Sequence, residues 1–206
     1  GELEFPEAVD MPSIMSKDFF DFYLRDIQNG WEEKPIISYF QMGENIWKTT
    51  DDWNSIIHNY DTLYLWKGGF LKQEVPPPIM SPASSPPDTI IYNPKDPSPT
   101  IGGSRFNPDD ILSGKHTTPV GPYDISDTVE SRNDILIYST DILEKPISIT
   151  GKIFIELFVK SNRRDTDFSV RLCDVFPDGK SYILTQGIKR ARFRDALEMG
   201  KDAVGF

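Results

Sequence analysis

Histidine and cysteine are scarce here: 206 residues carry two His and one Cys. A single cysteine, Cys173, excludes an internal disulfide and agrees with a reducing compartment. Its setting in Ser169-Val170-Arg171-Leu172-Cys173-Asp174-Val175 reads as a strand. There a small buried hydrophobe is expected rather than a nucleophile, since no nearby feature would lower the thiol pKa. The two histidines, His58 and His116, both fall in loop-like sequence, and no Gly-x-Ser-x-Gly turn presents a serine to either. Surface or structural roles are expected for both, and one Cys with two distant His is too little for a zinc site. No run approaches the roughly 18 apolar residues of a membrane span, and no basic segment precedes an apolar one at the start. No membrane partner is expected, and with the lone cysteine the setting is read as cytoplasmic. Positive charge is also short: 22 Lys and Arg stand against 32 Asp and Glu, a net charge of -10. A nucleic-acid surface is therefore not expected, because phosphate contacts need clustered cations. The one basic cluster, Lys189-Arg190-Ala191-Arg192-Phe193-Arg194, alternates with apolar residues as one solvated face of a strand would.

What the chain does contain is β-pattern. Asp174-Val175-Phe176-Pro177-Asp178-Gly179-Lys180 places an Asp-Gly turn between two alternating runs, a strong local hairpin signal. Ile36-Ile37-Ser38-Tyr39-Phe40-Gln41-Met42 is a strand closed by Gly43, and 62–66 should turn at Gly68-Gly69 into Phe70-Leu71. Further strands are expected at 89–92, 134–139, 147–150, 152–160, 167–176, 181–185 and 188–194. In 153–159 the alternation is weak, as for a strand covered on both faces. The prolines of Pro76-Pro77-Pro78 and Pro86-Pro87 bracket a connector that cannot supply central strands. A long polar excursion follows Gly103, and loops of that length are usually functional or docked. Ahead of all this, Met15, Phe19, Phe22, Tyr23 and Ile27 recur at helical spacing over about 13–28, with Ser13 as N-cap and Asn29-Gly30 as the stop. One helix either docks on the β domain or belongs to a neighbouring α/β unit. The fold class expected is all-β, a two-sheet jelly-roll sandwich preceded by one helix, with the last strands absent. The division is 1–30 and 31–206.

Several residue sets were weighed for chemistry. Asp165, Asp167, Asp174 and Asp178 could be imagined around a hard cation, but their spacing matches no calcium loop, and turn or backbone pairing suits them better. Trp31, Trp47, Trp53 and Trp66 could stack on sugars, although tryptophan in a small β domain more often packs its core. Gly102-Gly103 is not a phosphate loop, since no Lys-Ser/Thr and no helix follow; a tight backbone bend or close approach to another surface is the expected use. No metal and no cofactor is expected.

Six elements, read in order, resemble the cocaine-esterase and X-prolyl dipeptidyl-peptidase family of serine hydrolases (CocE/NonD), which includes glutaryl acylases and α-amino acid ester hydrolases. They are Phe19-Phe20-Asp21-Phe22-Tyr23-Leu24-Arg25; Tyr39-Phe40-Gln41-Met42-Gly43-Glu44-Asn45-Ile46-Trp47 with Trp53; Tyr92-Asn93-Pro94-Lys95-Asp96-Pro97-Ser98-Pro99-Thr100-Ile101-Gly102-Gly103; Arg132-Asn133-Asp134-Ile135-Leu136-Ile137-Tyr138-Ser139-Thr140; Thr150-Gly151; and the hairpin stretch from Asp165 to Arg194, with Asp165-Thr166-Asp167-Phe168 and Gly187-Ile188-Lys189-Arg190-Ala191-Arg192-Phe193-Arg194 around its turn. The resemblance implies an α/β-hydrolase catalytic domain, a helical cap and a C-terminal jelly roll of galactose-binding-like type. In that scheme 1–30 is the tail of the hydrolase domain and 31–206 an incomplete jelly roll. The family's serine, acid and histidine precede Gly1, so no catalytic residue is carried onto this chain. The partner implied is the catalytic domain of the same protein, acting on a small ester or peptide through an acyl-enzyme. The loop Ile101, Gly102, Gly103 through Phe106 either walls the substrate pocket or seals the domain interface. A stand-alone carbohydrate-binding or adhesive module is the competing reading.

Overall fold

A computed structural model describes residues 1–56, 59–77, 86–103, 112–114 and 120–194. The chain divides into two compact units, one of Glu4–Pro78 with Tyr138–Ile153, the other of Gly1–Leu3, Ile79–Ile137 and Phe154–Phe206. Among the described residues are three two-stranded antiparallel sheets and one helix longer than a turn.

In the first unit a single turn, α1 (Pro6–Val9), leads into α2 (Met11–Arg25). The helix starts earlier than Ser13, because Pro12 falls in its first turn, where a missing N–H costs nothing. It also stops before Asn29-Gly30. Asp26 takes a left-handed conformation (φ 54°), and the N–H groups of Asp26 and Ile27 both return to the Asp21 carbonyl. Such a stop usually uses Gly, but Asp tolerates the left-handed region better than most residues. Asp21 is itself buried on the helix flank, where Lys17 Nζ (2.6 Å) and Arg25 (2.7 Å) reach it from one turn either side. Phe19, Phe20 and Tyr23 remain largely exposed on α2.

Strands β1 (Ile37–Gln41) and β2 (Ile46–Thr50) pair with Phe40 opposite Trp47. Gly43 (φ 87°) and Asn45 (φ 55°) supply the left-handed residues of their turn. The expected hairpin at Gly68-Gly69 is present as β3 (Tyr64–Trp66) and β4 (Phe70–Lys72). Ser139 adds one parallel bridge to it, giving its N–H to Gly69 O and accepting from Leu71 N–H, each at 2.8 Å.

The second unit is built on the long hairpin of β5 (Asp167–Val175) and β6 (Ser181–Arg190). Phe176 O accepts from Gly179 N–H at 2.9 Å across Pro177-Asp178, and Phe176 N–H closes onto Lys180 O at 2.8 Å. Gly179 at φ 88° completes a turn of this type, with Pro holding the first corner. The expected pair 181–185 and 188–194 is one ten-residue strand instead. Leu172 faces Thr185 while Cys173 faces Ile183, so Leu184 is the extra residue of a bulge that keeps the strand continuous. Against the start of β6 lies a strap, 121–130, ending in the wide helical turn Ser126–Glu130. Ile125 (1% exposed), Val129 (1%) and Tyr182 (4%) form the buried apolar centre, with Ser181 fully buried beside them.

Other segments read as strands depart from expectation. Residues 89–92, 147–150 and 152–160 lie outside the ladders, and 134–139 keeps only the bridge at Ser139. The residue pattern was sound for a pleated surface, but β-propensity reports fit to such a surface and supplies no neighbour to pair with. Two-face cover at 153–159 is likewise not seen, with Phe154 at 74% and Phe158 at 96% exposure. No helix of the described residues is long and apolar enough to cross a membrane.

Truncating the centre of the strap tests this packing. Ile125→Ala removes a fully buried side chain and should destabilise the second unit by about 2–5 kcal/mol, seen in urea unfolding as a lower midpoint with an unchanged slope.

Candidate functional site

Two glycine segments meet in the second unit and enclose the long polar excursion. Gly103 N–H donates to Gly121 O and Gly121 N–H to Gly103 O, both at 2.8 Å, an isolated antiparallel pair. The pair joins Gly103 to Gly121 and forms a neck between the two segments. Gly102 (φ 67°), Gly103 (φ 80°) and Gly121 (φ 90°) all sit in left-handed backbone. Space demands glycine as strongly as conformation does at Gly102, where a Cβ would stand 2.5 Å from Gly121 O and 3.2 Å from the Tyr123 ring. Of the bend and the close approach expected at Gly102-Gly103, the structure has Gly102 close against Gly121 O and the Tyr123 ring. Of the residues named for the wall, Gly102 is buried and Ile101 and Gly103 are half-buried at the neck. Phe106 lies outside the described residues, as do His58 and His116.

Below the neck the strap is joined to the hairpin by polar contacts. Asp124 Oδ1 accepts from the N–H of Ser126 and of Ser181, both at 3.0 Å, and these bonds hold its carboxyl below the ordinary range. Ile125 N–H donates to Ser181 O at 3.0 Å, and Ser181 Oγ donates to Glu130 Oε1 at 2.7 Å. Cys173, half-buried on β5, has its thiol pushed up by burial, which leaves it an unreactive packing residue.

A second cluster was not foreseen. Arg132 forms a fork on Asp134, with Nε to Oδ1 and Nη2 to Oδ2 at 2.8 Å each. The same guanidinium gives 2.7 Å to the Asp96 carbonyl and 3.3 Å to its carboxylate. Asn93-Pro94-Lys95-Asp96 and Arg132-Asn133-Asp134, separate stretches in the sequence, are joined by this arginine. Its bonds to two acids hold the Asp134 carboxyl down and push its own pKa up. The readable signal was an Arg two residues before an Asp inside a polar excursion, with no way to see Asp96 as the third member.

The aspartates weighed as ligands are occupied otherwise. Asp165 accepts from Arg190 Nε at 2.7 Å, from the Arg192 N–H at 3.1 Å and from the Arg192 side chain. Asp178 caps the hairpin turn by accepting from Lys180 N–H at 3.2 Å. Asp167 and Asp174 are exposed strand residues. Among the described residues no group of three or more His, Cys, Asp and Glu could hold a metal.

The tryptophans of the other unit are packed edge-on. Trp47 meets Phe40 with ring centroids 5.6 Å apart and gives its indole N–H to Glu7 O at 2.9 Å. Trp53, 36% exposed, meets Tyr39 at 6.1 Å. Trp66 instead gives its indole N–H to Glu74 O at 2.8 Å, with Lys72 Nζ 5.4 Å from the centre of its ring. Trp31 meets Phe19 at 5.5 Å beside an open depression lined by Met15, Ser16, Phe19, Phe20 and Trp31, which offers a single hydroxyl to a ligand.

Comparisons with known proteins were made against this geometry. Residues 29–203 match the family described as the X-Pro dipeptidyl-peptidase C-terminal non-catalytic domain. The chain is 35% identical to cocaine esterase of Rhodococcus sp. over 188 residues, covering 90% of this chain and 31% of that protein. It is 27% identical over 176 residues to a Mycobacterium bovis protein whose name places it among serine esterases, covering 85% and 26%; a Mycobacterium tuberculosis protein gives the same figures. The chain thus spans about a third of the first relative and about a quarter of the others.

Two measurements check the site. Gly102→Ala should open the neck, since the Cβ clashes with Gly121 O and the left-handed backbone alone costs about 1–2 kcal/mol; cross-neck amide signals of Gly103 and Gly121 should shift while those of β5–β6 stay in place. The carboxyl of Asp165 is held at about 2, chiefly by the hydrogen bond from Arg190, against an ordinary 3.8. Because the folded value is the lower one, its stabilisation is complete above the ordinary value and fades as pH falls from about 4 towards 2. Acid titration should show that loss, and Asp165→Asn should remove it.

Proposed function

Because the chain belongs to the C-terminal non-catalytic domains of the cocaine-esterase and X-Pro dipeptidyl-peptidase family, we propose that it supports a serine hydrolase acting on ester or amide bonds through an acyl-enzyme. The observation carrying this reading is the match over residues 29–203 to a domain described as non-catalytic. The nucleophile and base lie in another part of the polypeptide. The relatives' names support ester hydrolysis, and the choice among esters, acyl amides and X-Pro peptides rests largely on pockets in the catalytic region.

Residues 31–206 form a jelly roll in this reading, and 1–30 is the tail of the catalytic domain. Two features favour that boundary. The family match begins at Gly30's neighbour, residue 29, and α2, ahead of it, keeps Phe20, Tyr23 and Leu24 exposed. A helix with an uncovered aromatic flank suits packing on the catalytic domain of the same protein. The neck at Gly102, Gly103 and Gly121 gives the loop beyond it, with Ile101 and Phe106, a fixed origin from which to wall the substrate pocket. Loops held on rigid scaffolds commonly serve binding in this way.

The chain alone should neither turn over an activated short-chain ester above the buffer rate nor be labelled by a fluorophosphonate. Joined to its catalytic region it should do both. Labelling of the chain by itself, abolished by replacing one of its own serines, would overturn the assignment. Glycan binding lost in Trp47→Ala or Trp53→Ala would favour the carbohydrate-binding alternative.

A further inference from the structure

The first residues of the chain hold the neck from outside. Glu2 N–H donates to Pro122 O at 2.6 Å. Its carboxylate Oε2 accepts from Asp124 N–H and from the Tyr182 hydroxyl, each at 3.2 Å. Pro122 to Asp124 directly follow Gly121, the residue that carries both bonds of the neck. Gly1 lies against the same stretch: a Cβ on Gly121 would stand 3.3 Å from Gly1 Cα, and one on Gly1 would stand 2.5 Å from Pro122 Cδ. Backbone therefore packs on backbone, without room for side chains.

The anchor beneath is rigid. Tyr182 is 4% exposed and its ring meets Phe176 edge-on at 4.9 Å. Asp124 has both Oδ1 bonds committed to Ser126 and Ser181, so its own N–H needs an acceptor from elsewhere, and Glu2 is that acceptor. An unpaired backbone N–H at this half-buried place would carry a desolvation cost.

We propose that Glu2 is a positioning residue, a clamp that fixes the Gly121 arm of the neck to the buried end of β6. Its geometry is independent of function; its consequence for substrate rests on the pocket-wall reading above. In that reading the polypeptide around residues 1–3 arrives from the catalytic domain, and the clamp links the position of that segment to the wall.

The test is amide hydrogen exchange on the full chain, comparing wild type with Glu2→Ala, Glu2→Gln and Tyr182→Phe. Glu2→Ala should speed exchange at Gly103 and Gly121 about tenfold, the effect of losing one or two hydrogen bonds, with amides in the middle of β5–β6 within about twofold. Glu2→Gln should restore most of the protection, because its amide oxygen still accepts. Tyr182→Phe should give a smaller rise, and the double variant with Glu2→Ala no more than Glu2→Ala alone. Unchanged exchange at the neck, or a rise shared equally by the hairpin, would overturn the clamp. The same Glu2→Ala change in the polypeptide that includes the catalytic region separates the two ideas. A raised KM with near-normal kcat supports clamp and wall together. Faster neck exchange with unchanged KM keeps the clamp and removes the wall.

Discussion

One carboxylate splices the second unit together. Asp124 accepts from Ser126 N–H, which starts the helical turn of the strap, and from Ser181 N–H, which starts β6. Without it two backbone donors would face a dry junction, at a cost comparable to the hydrogen bonds lost. With it, Ile125 and Val129 are set into the only fully buried apolar positions of the described residues, beside Tyr182. The order of dependence follows from this geometry. The splice fixes the strap, the strap fixes Gly121, and Gly121 closes the neck on Gly103.

An acidic chain might be thought to hold itself apart by self-repulsion. Here one cation serves two acids, and two acids each gather two cations. Arg132 serves Asp96 and Asp134, and Arg190 and Arg192 converge on Asp165. Lys17 and Arg25 do the same for Asp21 from opposite turns of α2. Exposed pairs of this sort contribute little individually to stability. Their effect is on geometry, because a planar guanidinium bonded to two acids fixes the distance between the segments that carry them. That explains how irregular stretches such as 93–103 and 132–134 hold a defined path without ladder bonds.

The legible part of this structure is the part decided by local chemistry. Pro177-Asp178-Gly179 announced its turn because φ at Gly179 must be positive and Pro suits the preceding corner. The hairpin at Gly68-Gly69 and the strand before Gly43 were readable for the same reason. The helix was visible in its period, but both ends were misplaced: Pro12 was admitted into the first turn, and Asp26 made a stop for which Gly30 was the more obvious residue. Non-local choices were hidden. No pattern in 152–160 says which segment lies beside it, the extra residue Leu184 has no signature of its own, and Asp96 and Arg132 are joined across 36 positions. Glu2 is the extreme case, since its partner Tyr182 is 180 residues away.

The site followed the same division. Gly102-Gly103 was recognisable as a bend or a place of close approach, because glycine lacks the Cβ that would obstruct either. Its partner was not, since Gly121 stands in the unremarkable run Val120-Gly121-Pro122-Tyr123. The three glycines of the neck differ in what demands them. All three hold a positive φ, which disfavours any side chain. Space adds most to conformation at Gly102, since a Cβ there would stand 2.5 Å from Gly121 O, whereas one on Gly103 would meet nothing nearer than Gln186 at 3.7 Å. The pair of hydrogen bonds therefore depends most on Gly102, which makes neither of them but sits where the opposite strand's carbonyl must pass.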